Sequence, residues 1–333
     1  MAKSAELKKT LKYFTKDGTP LELVMDRTWR VFTEDGGQAE IAEREGPLPR
    51  MVTKSYTKEE VQKMVDSNYA TDDGGAQNKE PRPFTDALAG KSFEFYFDKG
   101  VDEPVTLTYR FETANKLYWS GHGRTEELPA YYEALNADDT VIMVHHLRRG
   151  SEPIECITLF IDTESYLTTC CYHKLGNDYE AREVSRTFWF GAAKKPDGTF
   201  PEGRQGYSDY LVGKTIRWEY FVDEPNMNHI YMSNTFSACC VILPKKGRGF
   251  GGAFPSRYVG LKDTLHIYSW VEELGSGTHG MVCIDFRNAA DEGKVHDVGC
   301  FFGFSVRDDL EFFTYAGPGK LAPLGVINED YSH

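Results

Sequence analysis

Residues 264–286 read TLHIYSWVEELGSGTHGMVCIDF. Two apolar runs flank a Gly-rich turn, the pattern of two strands joined by a connection. Strand alternation puts His266, Tyr268, Trp270 and Glu272 on one face and Leu265, Ile267, Ser269 and Val271 on the other. A weaker copy of the same layout runs over 141–162, ending like the first in an apolar run closed by an aspartate.

The copy belongs to a longer internal repeat. LAGKSFEF at 88–95 returns as LVGKTIRW at 211–218. Within each unit, short runs rich in aromatic and β-branched residues follow one another, separated by turn-forming DKG, ETAN, GSEP and GND in the first. Many short strands at close spacing predict an all-β chain built as a sandwich or an up-and-down barrel. Closure is attractive because it removes unpaired edges, and a barrel of about eight strands is just wide enough for one small ligand. The expected division is an N-terminal extension over 1–83, a first barrel over 84–200 and a second over 205–322. In the extension, 21–32 predicts a small hairpin and 57–67 a short capped helix, with a polar linker over 69–83. Residues 126–135 predict a helix that caps the first barrel. The glycine-rich 247–252 predicts a flexible loop at a barrel mouth.

Composition excludes several classes. Acidic residues outnumber basic ones, 51 to 38, for a formal charge of −13. That balance argues against nucleic acid and against an anionic membrane surface as partners. No apolar run approaches the roughly 18 residues of a membrane span. The first residues lack the apolar core of a secretory signal. The seven cysteines show no CxxC or zinc spacing and sit mostly in apolar runs, as small buried hydrophobes. A cytoplasmic location is expected.

The LxGK openings of both units, the YSWVEE strand at 268–273 and the Gly-rich turn before an apolar strand resemble the MoaF family, labelled molybdenum cofactor biosynthesis protein F. The resemblance spans about 84–320 and is stronger in the second unit. It implies two tandem calycin-like, lipocalin-type antiparallel β-barrels. It carries no catalytic signature, and it leaves the first ~80 residues as an extension.

Chemistry is expected in the second barrel. If its aromatic, polar face turns inward, Glu272, Tyr268 and His266 become candidate catalytic residues. Arg217, Glu219, His229, Tyr231 and Trp270 become candidate substrate-binding residues. Arg217 would hold a carboxylate in a forked pair, a glutamate in an apolar barrel would have a raised pKa and serve as acid or base, and a tyrosine would donate to an enolate or phenolate oxygen. The set suits a cofactor-independent lyase or isomerase acting on a small conjugated or aromatic acid by decarboxylation, dehydration or isomerisation. The alternatives are a lipocalin-like small-molecule carrier and, as the family label implies, an accessory protein of molybdenum cofactor assembly. An outward-facing aromatic row, with aliphatics in the lumen, is the structural alternative. No cofactor and no metal are expected: His145, His146 and His173, or His266, His279 and Asp285, could supply ligands, but adjacent strand histidines point to opposite faces. Arg148 and Arg149, standing where the second unit has Glu272 and Glu273, could pair with them across the barrel interface. The expected partner is a small molecule, and a homodimer stays open.

Overall fold

The computed structural model describes residues 80–148, 154–176, 183–220, 227–243, 248–272, 277–304 and 310–322, together with the backbone of three short N-terminal strands. These strands, β1 (Lys9–Phe14), β2 (Pro20–Met25) and β3 (Val31–Phe32), form one antiparallel sheet. The expected hairpin at 21–32 falls on β2 and β3, where Val24 pairs with Phe32. The helix expected at 57–67 lies outside the described residues, as does most of the 69–83 linker.

Two closed antiparallel barrels follow, each of eight strands. The first runs β4 (Ser92–Lys99), β5 (Val105–Phe111), β6 (Lys116–Gly121), β7 (Arg124–Asn136), β8 (Val141–Arg148), β9 (Glu155–Asp162), β10 (Leu167–Leu175) and β11 (Val184–Ala193). Each strand pairs with the next, and β11 returns to β4. After a short β12 (Gly206–Tyr207) the plan repeats in β13 (Thr215–Trp218), β14 (Met227–Ser233), β15 (Phe236–Leu243), β16 (Arg248–Lys262), β17 (Leu265–Val271), β18 (His279–Asp285), β19 (Lys294–Phe304) and β20 (Leu310–Leu321). Here β20 returns to β13, and β16 joins β15 to β17 to complete the ring. A single helical turn, α1 (Ala289–Glu292), lies between β18 and β19.

Two sequence expectations are corrected. Residues 126–135 are not a helix but the body of β7. Leu128, Tyr131, Tyr132 and Leu135 imitate helical spacing, yet Pro129 would break a helix there. The strand also changes partner along its length, pairing with β6 up to Tyr131 and with β8 from Tyr132. Gly247 lies outside the described residues, and 248–252 are not a mouth loop: they begin β16, with Gly251 and Gly252 paired to Cys240 and Cys239. Strand β16 is the counterpart of β7, and it too changes partner, from β15 to β17 at about Ser256.

Three apolar clusters organise the molecule. One fills the first barrel, with Phe95, Leu107, Tyr109, Trp119, Ile157 and Leu159 among its members. One lines the second, with Trp218, Tyr231, Tyr258, Tyr268, Trp270 and Tyr315. The third joins outward faces of both: Val141, Met143, Phe160 and Cys171 of the first barrel with Leu265, Ile267, Cys283 and Cys300 of the second. Strand pairing makes these residues equivalents in the two copies, Val141 to Leu265, Met143 to Ile267, Phe160 to Cys283 and Cys171 to Cys300. The barrels therefore meet through the same patch on each, as the halves of a symmetric dimer do. Burying each such aliphatic side chain contributes about 1.5–3 kcal/mol. Bridges such as Arg287–Asp139, with Asp139 85% exposed, contribute about 1 kcal/mol or less. Apolar contact therefore holds the junction together more than ion pairing does. Arg148 pairs with Glu155 of its own barrel at 2.6 Å; Arg149 and Glu273 lie outside the described residues.

Candidate functional site

The second barrel turns its aromatic row inward. Leu265 and Ile267 of β17 pack on the first barrel, while Tyr268 and Trp270, on the opposite face, are 0% and 4% exposed in the lumen. Their rings stack at 4.7 Å. From β14, the His229 and Tyr231 rings meet Tyr268 edge-on at 5.2 and 4.8 Å. The Tyr268 hydroxyl hydrogen-bonds Ser237 Oγ at 2.7 Å, and Ser237 in turn meets Ser256 at 2.6 Å.

Glycines let several rings lie close against the wall. A Cβ on Gly319 would meet Trp218 at 2.6 Å, one on Gly317 would meet Tyr220 at 2.5 Å, and one on Gly299 would meet Tyr315 at 2.7 Å. With no side chains there, the rings settle onto the backbone of the neighbouring strand.

One carboxylic acid stands among these rings. Asp297, 1% exposed, projects from the inner face of β19. It accepts a hydrogen bond from the Tyr220 hydroxyl at 2.7 Å and another from the Gly317 amide at 3.1 Å. Loss of solvent raises its pKa well above the carboxylate range, more than these two bonds lower it. Burial therefore favours the protonated form of Asp297. Burial acts on His229 in the opposite sense, pushing its pKa down to about 3 and leaving the ring uncharged.

Several buried polar atoms here fall short of a hydrogen bond: His229 Nδ1, Tyr315 Oη, and Tyr231 Oη together with the Trp218 Nε1 that approaches it. Leaving such an atom unpaired costs about 1–3 kcal/mol. The first barrel also carries aromatic rings, and its buried Trp119 Nε1 likewise lacks a partner, but more of its lining is aliphatic. Aliphatics such as Leu107, Leu117, Ile142, Val144, Ile157 and Leu159 take part in its filling. Its buried His146 is satisfied at both nitrogens, by Leu147 O at 3.0 Å and the Tyr109 hydroxyl at 2.8 Å. Since Nδ1 must donate to the carbonyl, Nε2 accepts from the tyrosine.

The other sequence candidates divide by position. His266 is enclosed at one end of the lumen, stacked on Tyr210 at 3.9 Å, with Nε2 donating to Asp263 O. Glu272 follows the last residue of β17 at the other end; it is half-buried and close enough to Cys239 to raise that thiol's pKa. Arg217 and Glu219 lie outside the lumen. Ile216, Trp218 and Tyr220 take the inner face, and Arg217 and Glu219 meet each other outside at 3.8 Å. The arginine expected to hold a carboxylate is thus not in the pocket, and among the described residues no Lys or Arg is fully buried.

Asp297 and its partner Tyr220 were missed in the sequence. The other face of β19 carries Val298, Cys300 and Phe302, apolar enough to read as the inner one. In fact it packs on the first barrel. The signal that could have found Asp297 is the glycine two residues on, Gly299, which shares its face and makes room for a ring.

Among the described residues no helix is long and apolar enough to cross a membrane. A search of curated proteins finds no match to the chain. Residues 74–177 match the family model of the MoaF N-terminal domain. The match reaches through β10 and stops short of β11, so it takes in most of the first barrel. The first of the two barrels is thus similar to the MoaF N-terminal domain, and the second repeats its plan.

Proposed function

We propose that the second barrel binds a small, flat, uncharged molecule with hydrogen-bonding groups, and that this is the protein's primary activity. A MoaF domain and a calycin-like barrel fit a small-molecule-binding protein. The observation that carries the reading is the set of unpaired buried atoms, His229 Nδ1, Tyr231 Oη and Tyr315 Oη, in a lumen walled by aromatic rings. A ligand with donors and acceptors on a planar skeleton would satisfy them and stack on Tyr268 and Trp270. With no fully buried Lys or Arg among the described residues, a neutral ligand is favoured over the conjugated acid expected from the sequence.

A second reading is acid–base turnover of the bound molecule, by decarboxylation, dehydration or isomerisation. It is favoured by one observation, the buried Asp297 bonded to Tyr220, whose protonated form burial favours. A carboxylic acid kept protonated at neutral pH can donate a proton or a strong hydrogen bond. Glu272, at the rim, is the candidate for the opposite role.

Native mass spectrometry of the protein purified from its host, followed by binding of the extracted compound, tests both readings. Quenching of Trp218 and Trp270 fluorescence should report binding, and Tyr231→Phe together with Tyr315→Phe should weaken it at least tenfold. Unchanged affinity in the double variant would remove the binding reading. For turnover, Asp297→Asn should abolish product formation while the dissociation constant shifts less than about fivefold. Product formed by Asp297→Asn at the wild-type rate would remove that residue from the mechanism.

A further inference from the structure

Outside either lumen, a chain of buried polar side chains crosses the junction between the barrels. Ser269 meets His279 Nε2 at 2.8 Å, and His279 Nδ1 faces His173 Nδ1 at 2.8 Å. His173 Nε2 meets Thr158 Oγ1 at 3.0 Å, which in turn meets His145 Nδ1 at 2.9 Å. His173, His279, Thr158 and Ser269 are each 0% exposed. His173 comes from β10 of the first barrel and His279 from β18 of the second. The thiol of Cys171, also on β10, lies with them: one ligating atom from each of Cys171, His173 and His279 falls within 4.8 Å of the others.

We propose that Cys171, His173 and His279 form a three-coordinate site for copper(I) that clasps the two barrels together. Three features support it. Each imidazole is anchored through Nε2 to a hydroxyl, so that both Nδ1 atoms converge on one point with the thiol; metal-site histidines are oriented by such an outer hydrogen bond. Next, the ligands are soft, one sulfur and two imidazoles, the set that suits copper(I) and zinc(II). Finally, charge decides between those two. Arg186 lies directly across from His173 in the β10–β11 ladder and bonds Pro255 O through Nη2 at 3.1 Å; burial raises the Cys171 thiol pKa, and this guanidinium offsets that only in part. With that guanidinium beside it, a thiolate and a monovalent ion form a neutral set. A divalent ion would leave extra positive charge in a buried junction, and structural zinc takes four ligands where this cluster offers three.

Binding forms one sulfur–copper and two nitrogen–copper bonds; the Cys171 thiol proton goes to solvent, the proton between the facing Nδ1 atoms moves to the Nε2 of the same ring, which then donates to its hydroxyl, and copper keeps its oxidation state. The facing nitrogens would separate from 2.8 Å to roughly 3.4 Å, as metal–nitrogen bonds of about 2.0–2.1 Å require. That adjustment is small for two side chains on different barrels.

The test uses the full chain, produced in copper-supplemented and, separately, zinc-supplemented medium and purified without oxygen. Elemental analysis should find about one copper per chain, and copper K-edge absorption should show one sulfur and two nitrogen neighbours. Cys171→Ser and His279→Gln should each lower bound copper at least tenfold. Cys240→Ser, which alters a half-buried cysteine outside the cluster, should leave it unchanged. Copper at trace level, a spectrum dominated by several sulfurs, preferential retention of zinc, or copper persisting in both ligand variants would each overturn the proposal. If the variants fail to fold, the wild-type spectrum still decides, because Cys171 is the one sulfur grouped with the two imidazoles, whereas ligation by the nearby Cys156 or Cys300 would add further sulfur neighbours.

Discussion

A buried carboxyl group is charged only where partners repay its lost hydration, and Asp297 and Glu133 meet that condition to different degrees. Asp297 has a phenol and one amide, and burial still favours its protonated form. Asparagine can keep both bonds, so Asp297→Asn should change stability by less than about 1 kcal/mol at pH 7. Asp297→Ala orphans both donors and should cost about 2 kcal/mol or more; urea titration of the two variants checks the contrast. Glu133, on β7, accepts bonds from Thr314 of the other barrel and from Tyr131, and has Arg82 at 3.6 Å. Burial outweighs these partners and raises its pKa from 4.5 to about 6. A carboxyl whose pKa is higher folded than unfolded stabilises the fold at low pH and loses that contribution as pH rises through the folded value. Between about pH 4 and 7, wild type should therefore lose about 2 kcal/mol relative to Glu133→Gln. Parallel curves for the two proteins would show that Glu133 titrates normally. Neither role was legible in the sequence. A lone Asp in HDVGCFFGF or Glu in YYEAL looks like any surface carboxylate until the strand's inner face is known.

At the scale of strands, the legible and illegible parts separate by geometry. Strands with one partner on each edge along their whole length are announced by their sequences, through alternation in 105–111 and 265–271 and through a continuous apolar run in 155–162. The two that were misread, β7 and β16, occupy the same place in both barrels. Each exchanges one neighbour for another midway, so its buried face changes along the strand and the period-two signal dissolves. The inner and outer faces of β17 were readable because aromatic and aliphatic residues segregate there. On β13 the alternation was equally clean, but Arg217 and Glu219 were assigned to the pocket for their chemistry although Ile216, Trp218 and Tyr220 fill it. Glycine placement follows from the same wall geometry. Gly319→Val would put a side chain where the Trp218 ring lies, at 2.6 Å from even its first carbon. The ring must move into the lumen, so the variant should lose about 1–3 kcal/mol of stability and bind the lumen ligand more weakly. Near-ultraviolet circular dichroism and fluorescence titration read the two effects, and an unaltered tryptophan signal would show that the ring does not rest on that glycine.

Over the whole molecule, the duplication was readable from the two LxGK openings, but its consequence was not. Sequence shows that two units share a plan; it does not show that equivalent patches face each other, because each patch alone is only another apolar strand face. The arrangement buries histidines at the junction as well as in the lumens, and this sets the protein's response to acid. Desolvation holds His145 at about 3, His146 at about 4 and His229 at about 3, against 6.5 in an unfolded chain. A base whose pKa is depressed on folding contributes stability above its unfolded value and forfeits it as pH falls toward the folded one. Each such histidine should then remove about 1.4 kcal/mol per pH unit below pH 6.5. Three together approach about 4 kcal/mol per unit, against a total stability of about 5–15 kcal/mol for an ordinary domain, and Glu133 gains too little in the same range to offset them. Cooperative unfolding is therefore expected between about pH 6 and 4. His145 separates this from generic acid denaturation, because its ring lies in the junction, stacked on Phe312 of the other barrel at 4.5 Å. His145→Gln keeps a polar partner for Thr158 but cannot be protonated. From pH 7 to pH 5 it should lose about 2 kcal/mol less than wild type in urea titrations. Equal losses in the two proteins would mean that His145 is not held neutral, and that the acid response arises elsewhere than in the junction.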